Sequence, residues 1–427
     1  MTETRLGIAA SLESIWRGAL RRTQAGPLVR AALASEPMPP GPVRVLAIGK
    51  AALPMAEAAL AALGGRAEDA LCVVPEGGRV DALPGARVVQ GSHPRPTQAS
   101  AAAGAELISW ADRNAGRPVL ALVSGGGSAL AVAPAEGVSF EEKVEAAAAL
   151  MRAGATIGEL NALRKHLSRT KGGQLAARLA LAPIRVLVMS DVPGDDLSTI
   201  ASGPFAPDPT TFGDALRFAQ ERGAILPAAA VARLEKGARG ELAETPKPGD
   251  PRLVGVAHRL LAGPVDLARA AAEEARARGY AAEVDPIPLT GDVRVVATRL
   301  AAWTRANSGR GRRLLALGGE PTIAVPSSAR APDGGRAQHL ALLLAADLAG
   351  TPGAVLAAGS DGRDGPTEQA GAVVDGGTAA DAARAGVDLV RALAEARSGP
   401  AAVAIGAAIP REETGTHLCD LVLAAVE

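Results

Sequence analysis

The chain is short of aromatic residues, with four Phe, one Tyr and three Trp among 427 positions. Proteins that hold single-stranded nucleic acid stack bases on aromatic side chains, so this shortage argues against that class. Two cysteines, Cys72 and Cys419, are too few for a disulfide framework or a zinc site, and they fit a reducing, cytoplasmic setting. No apolar run approaches the roughly 18 residues that a membrane span requires. The N-terminal stretch carries Glu3 and Glu13 and no long apolar core, so it reads as an amphipathic helix rather than a signal peptide. Net charge is missing as well: Lys+Arg and Asp+Glu both number 45. Without a global field to attract nucleic acid or anionic lipid, any anion site must be built from a few local residues.

What the chain does have is apolar residues, 48% of the total, enough for about two or three domains at roughly 100–200 residues each. Short apolar runs ringed by Gly or Pro alternate with longer segments rich in Ala, Leu, Arg and Glu. Runs 43–49, 86–91, 118–125 and 184–190 read as buried parallel strands, and segment 140–154 reads as a covering helix. This alternation predicts an α/β fold with a doubly wound parallel sheet. The Pro/Gly-rich stretch 244–252 suggests a linker or long loop, with a domain boundary near residue 240. Beyond it, 252–258, 281–287, 313–319, 322–325, 354–360 and 401–406 are the next predicted strands. The polar, Gly/Pro-rich loop 326–336 is expected to be mobile before a ligand binds.

Ligands of open α/β sheets bind beyond the carboxyl ends of the strands, so the residues that follow each run matter most. Run 43–49 leads into Lys50, whose ammonium suits a phosphate or carboxylate but equally a solvated surface position. Run 86–90 leads into Ser92-His93-Pro94, where a histidine is more often structural than catalytic. Run 119–123 leads into Ser124-Gly125-Gly126-Gly127-Ser128. Its glycines let backbone N–H groups approach an anion, and the helix start behind them adds partial positive charge. It is not a Walker A loop, because GxxxxGK[ST] is absent, and not a dinucleotide fingerprint, because Leu130 stands where the third glycine would be.

Segment 161–173 is densely cationic. On a helix, Asn161, Lys165 and Ser168 share a face, and Arg164 and Lys171 fall two turns apart, so one side can line an anion site. A bare charge run is more commonly a solvated helix. Asp191, at the end of run 184–190, is placed to ligate Mg²⁺ or accept a proton, with an Asx-turn as the plainer reading. Further on, Glu320 follows run 313–319, and Arg336 opens an apolar helix behind Gly335 as a candidate planar clamp for an anion. Asp361 and Asp364 lie in a Gly-rich loop that can bind a cation or simply turn the chain.

The segments IGKAA (48–52), SHPRP (92–96), SGGGSAL (124–130), NALRKHLSRTKGG (161–173), SDVPGDDLSTIASGP (190–204), GGEPT (318–322), GRAQH (335–339), SDGRDGPTEQAGAVVDG (360–376) and GTHLCDL (415–421) together resemble the MOFRL-type glycerate 2-kinases, in the family's order and across nearly the whole chain. That family has also been labelled hydroxypyruvate reductase. The resemblance implies a larger Rossmann-like N-terminal domain, residues 1–240, and a smaller α/β MOFRL domain, residues 241–427, with the active site in the cleft between them. It implies ATP-dependent phosphorylation of D-glycerate to 2-phosphoglycerate with Mg²⁺. The expected partners are glycerate and ATP, not nucleic acid or membrane, and the expected form is a cytoplasmic monomer or small homo-oligomer.

The family's proposed active-site pair, the Lys of its GKA turn and the Arg of its GRNQE motif, matches Lys50 and Arg336. Combined with the loop readings, Lys50, Arg336 and Asp191 are expected to be catalytic, and Asp191 also to hold the metal. Ser124, Gly125, Gly126, Gly127, Ser128, Asn161, Lys165, Glu320, Asp361 and Asp364 are expected to bind substrate or phosphate. The chain departs from the family at Ala337 and His339, where Asn and Glu are usual, at HPRPTQ (93–98), and at His417, where Asn is usual. Two other readings compete. An NAD(P)H-dependent hydroxypyruvate reductase would call for a complete GxGxxG with an acidic residue about 20 positions on, which the chain lacks. A non-catalytic sugar-acid or nucleotide-binding protein would not call for so many charged groups at strand ends.

Overall fold

The computed structural model describes residues 3–77, 83–180, 182–325 and 333–427, with side chains from residue 7 onward. Most of the loop expected to be mobile, 326–332, therefore lies outside the described residues. The chain forms two compact units. One comprises Ala25–Met189 and Asp195–Leu261; the other comprises the segment up to Gln24, Ser190–Gly194 and Ala262–Glu427. The single boundary expected near 240 is thus replaced by a crossing at 261/262 and by two excursions: the first helix and a five-residue piece after residue 189 both join the C-terminal unit.

The first unit is built on strands β1 (Val43–Ile48), β2 (Ala67–Pro75), β3 (Ala86–Gly91), β4 (Val119–Val123), β5 (Ile184–Met189) and β6 (Val256–Ala262), in the order β3-β2-β1-β4-β5-β6. Pairing from β3 through β5 is parallel. Every residue of β1 and β4 is buried, as expected for strands covered on both faces. The order reverses direction between β1 and β4, and such a switch point opens a crevice beyond the carboxyl ends of those two strands. Helix Phe140–Arg152 starts at a capping box in which Ser139 and Glu142 exchange side-chain and backbone hydrogen bonds, close to the predicted start of 140.

The second unit carries β7 (Ala281–Val284), β8 (Arg313–Gly319), β9 (Gly353–Gly359), β10 (Gln369–Asp375), β11 (Ala408–Pro410) and β12 (Asp420–Val426), in the order β11-β10-β9-β12-β8-β7. This sheet is mixed. β12 runs antiparallel between β8 and β9, whereas β7 and β8 are parallel. Helix Glu3–Arg22 buries Ile8, Leu12, Ile15, Trp16 and Ala19 at helical spacing and packs against β9, β10 and β12. It also packs against helix Pro264–Arg276, where Arg22 pairs with Glu274 at 2.7 Å. Helices Val293–Asn307 and Arg336–Leu343 share a core with Val355, Ala357, Val422 and Ala424. Among the described residues no helix is long and apolar enough to cross a membrane.

Several expected strands change. Segment 401–406 is the helix Ser398–Ala404, because an Ala-rich stretch favours helix once it packs on Arg336–Leu343. Segment 322–325 reduces to one bridge, Thr322 to Asp292. Strand β6 begins four residues later than expected, behind a 3₁₀ turn at Pro251–Leu253.

Candidate active site

The two loops at the β1/β4 switch point are tied together. Gly49 adopts φ 128°, and a methyl group there would lie 2.2 Å from Ser124 Oγ, so only glycine fits. The Lys50 N–H donates to Gly125 O at 2.8 Å, and the Ala51 N–H donates to Ser124 Oγ at 3.0 Å. Ser124 is fully buried, so its hydroxyl joins the loops and does not face a ligand. A Cβ placed on Gly126 would meet Lys50 Cγ at 3.1 Å and His93 Cδ2 at 3.2 Å, which puts both side chains beside the glycine run. The helix behind that run is a single turn, Gly127–Leu130, too short to add the expected helix-end charge.

The cationic segment is helical only over Ile157–His166. Ser168 and Lys171 therefore lie beyond the helix, and the expected two-turn relation of Arg164 to Lys171 does not arise on a helix face. Lys171 is brought in by a turn: its Nζ donates to Ser128 O and Ser128 Oγ, both at 2.8 Å. Ser128 Oγ is 2.6 Å from Ser202 Oγ, which donates to Asn161 Oδ1 at 3.0 Å. Asn161 thus supports the glycine-rich loop from behind. Lys165 is buried and paired with the buried Asp208 at 3.2 Å, so its charge is already compensated and the expected contact with a ligand is not prepared. Burial, and then the nearby Arg164, push the Lys171 ammonium well below the usual lysine range.

Five expected residues cluster in the second unit. Arg336 donates from Nε to Asp420 Oδ2 at 2.6 Å and from Nη2 to Asp420 Oδ1 at 3.2 Å. Its Nη1 donates to Glu320 Oε1 at 2.6 Å. Burial would lower its pKa, but Asp420 and Glu320 outweigh that and hold the guanidinium firmly charged. Three of its five N–H donors are committed, which leaves one on each terminal nitrogen. Around Arg336 the site is rich in carboxylate.

Asp364 accepts from the N–H groups of Ala337 at 3.1 Å and Gln338 at 2.7 Å, capping helix Arg336–Leu343. Gly335 makes room for it: a Cβ there would lie 2.0 Å from Asp364 Cγ. Burial, then the neighbouring Asp420, raise the Asp364 carboxyl to about 7 against the pull of those N–H bonds. Asp364 therefore fixes the start of the helix that carries Arg336. Asp191 Oδ2 lies 3.3 Å from His417 Nε2, and Asp361 Oδ2 lies 3.4 Å from His417 Nδ1. Cys419 donates its S–H to Asp191 O at 2.7 Å, and burial followed by Glu320, Asp191 and Asp420 raises its thiol.

Asp420, Ser202 and Asp208 were not singled out from the sequence. Asp420 was visible only as the one acid opening an apolar run, and nothing local marked it as the partner of an arginine 84 positions away. The departures from the resembled motif also find places. Ala337 packs in the core, and His339 is buried, with its imidazole lowered to about 4 by burial and then by Arg294.

A Rossmann-ordered parallel sheet with a lysine and a glycine-rich loop at its switch point, joined to a mixed α/β unit, defines a two-unit α/β protein. Comparison narrows this. Residues 11–235 match the family model described as Domain of unknown function (DUF4147), and residues 313–420 match the MOFRL family. A D-glycerate 2-kinase of Thermotoga maritima is 35% identical over 391 residues, 90% of each chain. A glycerate 2-kinase of Pyrococcus horikoshii is 34% identical over 394 residues, 90% of this chain and 88% of its own. The crystal structure of glycerate kinase from Thermotoga maritima superposes with a TM-score of 0.87 at 31% identity, covering 98% of this chain and 99% of that one. The chain belongs to the glycerate 2-kinase family, with a DUF4147 domain followed by a MOFRL domain.

Proposed function

We propose that this chain transfers the γ-phosphoryl group of ATP to the 2-hydroxyl of D-glycerate. The observation that carries the reading is the family similarity along nine-tenths of the chain, and the DUF4147 match, residues 11–235, spans the lysine at the sheet's switch point. Phosphoryl transfer is mostly positioning and charge stabilisation, and the residues suit that division of labour. Lys50, with the Gly125–Ser128 loop, stabilises phosphoryl oxygens. Arg336, locked by Asp420 and Glu320, presents its remaining N–H pair to an anionic oxygen with no freedom left to lose. Asp191 is half-buried and accepts the proton of the reacting hydroxyl or holds the metal.

Among the described residues no group of three or more His, Cys, Asp or Glu is arranged to hold a metal ion. That donor set fits Mg²⁺ accompanying a nucleotide, which takes one or two carboxylates and otherwise water and phosphate oxygens. Asp191, with Asp361 close by across His417, would hold it, and when bound it would supply charge neutralisation on the transferring group. The test is product identity. The chain with ATP, Mg²⁺ and D-glycerate is expected to yield 2-phosphoglycerate by ³¹P NMR. NADH oxidation with hydroxypyruvate and no phosphorylated product would overturn the reading in favour of a reductase.

A further inference from the structure

A buried cluster of cations lies behind the glycine-rich loop, and among the described residues no carboxylate pairs with Lys143, Arg164 or Lys171. Lys171 is 3% exposed and Lys143 is 5% exposed, and both lie within electrostatic reach of Arg164. Lys143 is accounted for, because its ammonium donates to Arg164 O at 3.0 Å and Leu167 O at 2.6 Å and so closes the end of helix Ile157–His166. Arg164 is half-buried, and among the described residues its guanidinium has neither a hydrogen bond nor an ion pair. Among the described residues, Lys171 has two acceptors, both neutral oxygens of Ser128. The nearby acids are taken: Asp208 serves Lys165, Thr210 and Thr245, and Glu244 serves His166 and Lys247. Burying positive charge without a counter-ion is costly, and a fold sustains it where a ligand brings the missing negative charge.

We infer that Arg164 and Lys171, together with Ser128 and the Gly125–Gly127 backbone, form the subsite for the polyphosphate of the nucleotide. A carboxylate brings one negative charge; a triphosphate brings several, which matches two cations lacking any facing acid. The inference rests on the kinase reading, and it assigns the nucleotide's phosphates to the parallel-sheet unit. Lys171 then acts twice: it fixes Ser128 through two hydrogen bonds and adds its charge to the loop. Ser202 and Asn161 hold Ser128 from behind and keep the loop in shape before the ligand arrives.

The experiment is calorimetric titration of the full chain with ATP, with inorganic tripolyphosphate and, separately, with D-glycerate. It compares the unaltered chain with Arg164→Gln, Arg164→Lys and Lys171→Gln, with circular dichroism melts to check folding. Arg164→Gln is expected to weaken ATP and tripolyphosphate about ten- to hundredfold, to leave glycerate within about twofold, and to raise KM for ATP more than it lowers kcat. Arg164→Lys is expected to recover part of the loss. If Lys171→Gln fails to fold, Arg164→Gln decides alone. Unchanged tripolyphosphate affinity in folded Arg164→Gln would overturn the assignment. So would a loss confined to glycerate, which would make this the substrate carboxylate's place. An unaltered chain that binds tripolyphosphate through Arg164 but forms no phosphoglycerate would remove the kinase reading and leave the subsite standing.

Discussion

The two units handle buried charge in opposite ways. In the parallel-sheet unit, Arg164 and Lys171 are sequestered with no acid opposite them among the described residues. In the mixed-sheet unit, Arg336 is gripped by Asp420 and Glu320 while Asp364, Asp191 and Asp361 crowd nearby. A cation held by two carboxylates is fixed in place, and what it offers is precise donor geometry. A cation without them is held below its usual range by burial, and an anion from outside would restore its charge. A basic residue at a strand end or helix start therefore does not announce which of these it is.

Substituting one cation on each side is the strongest way to break this comparison. Lys50→Ala and Arg336→Ala should each lower turnover by about 10²–10³, the usual effect of removing a charge-stabilising donor. Their stabilities should diverge. Lys50→Ala is expected to unfold in urea within about 1 kcal/mol of the unaltered chain. Arg336→Ala leaves the largely buried Asp420 without its partner and should lose about 2–4 kcal/mol. Adding Asp420→Asn to Arg336→Ala should recover much of that stability and none of the turnover. Equal stability losses for the two single variants would contradict the contrast.

The pH dependence of stability sharpens the comparison further, because two groups shifted in opposite directions lie in the mixed-sheet unit. Asp364, raised to about 7 from an ordinary 3.8, favours the protonated native form. Its contribution is complete below pH 3.8 and disappears as pH climbs through 7. His339, lowered to about 4 from 6.5, acts in reverse: its contribution is present above pH 6.5 and disappears as pH falls through 4. Urea unfolding between pH 4 and 9 should show both limbs. Asp364→Asn should flatten the alkaline limb and His339→Leu the acid limb. The smallest effect is expected for His339→Leu at pH 7, within about 1 kcal/mol, because Nδ1 of this buried imidazole has no hydrogen-bond partner to lose.

Legibility in the sequence followed the physics of each element. Strands β1, β4 and β5 were readable because two-sided burial demands short, β-branched apolar runs between turn residues, and the half-exposed edge strand β3 because of its Val88-Val89 pair ahead of Gly91. Strand β2 was missed because Ala67-Glu68-Asp69-Ala70 has the composition of a helix, and only its place beside β1 makes it extended. Strand β12 was missed because its run of small and branched residues, Asp420–Val426, is separated from its neighbours β8 and β9 by long stretches of chain. The glycine-rich turns at the ends of β1 and β4 were legible, since Gly49 and the Ser124–Ser128 run have few structural alternatives. The partners were not: whether Lys165 or Lys171 keeps its charge for a ligand depends on where Asp208 lies, 43 positions from Lys165.

The amino-acid sequence by itself determined the α/β class, the loops at the β1/β4 ends and the family, because periodicity, glycine geometry and motif order are local properties. Tertiary structure alone decided that Asp191 joins the unit of Arg336, that Asp420 and Glu320 fix that guanidinium, and that Arg164 and Lys171 are left without an acid. The reason is that charge compensation depends on distance in space, and the residues that supply it are remote along the chain.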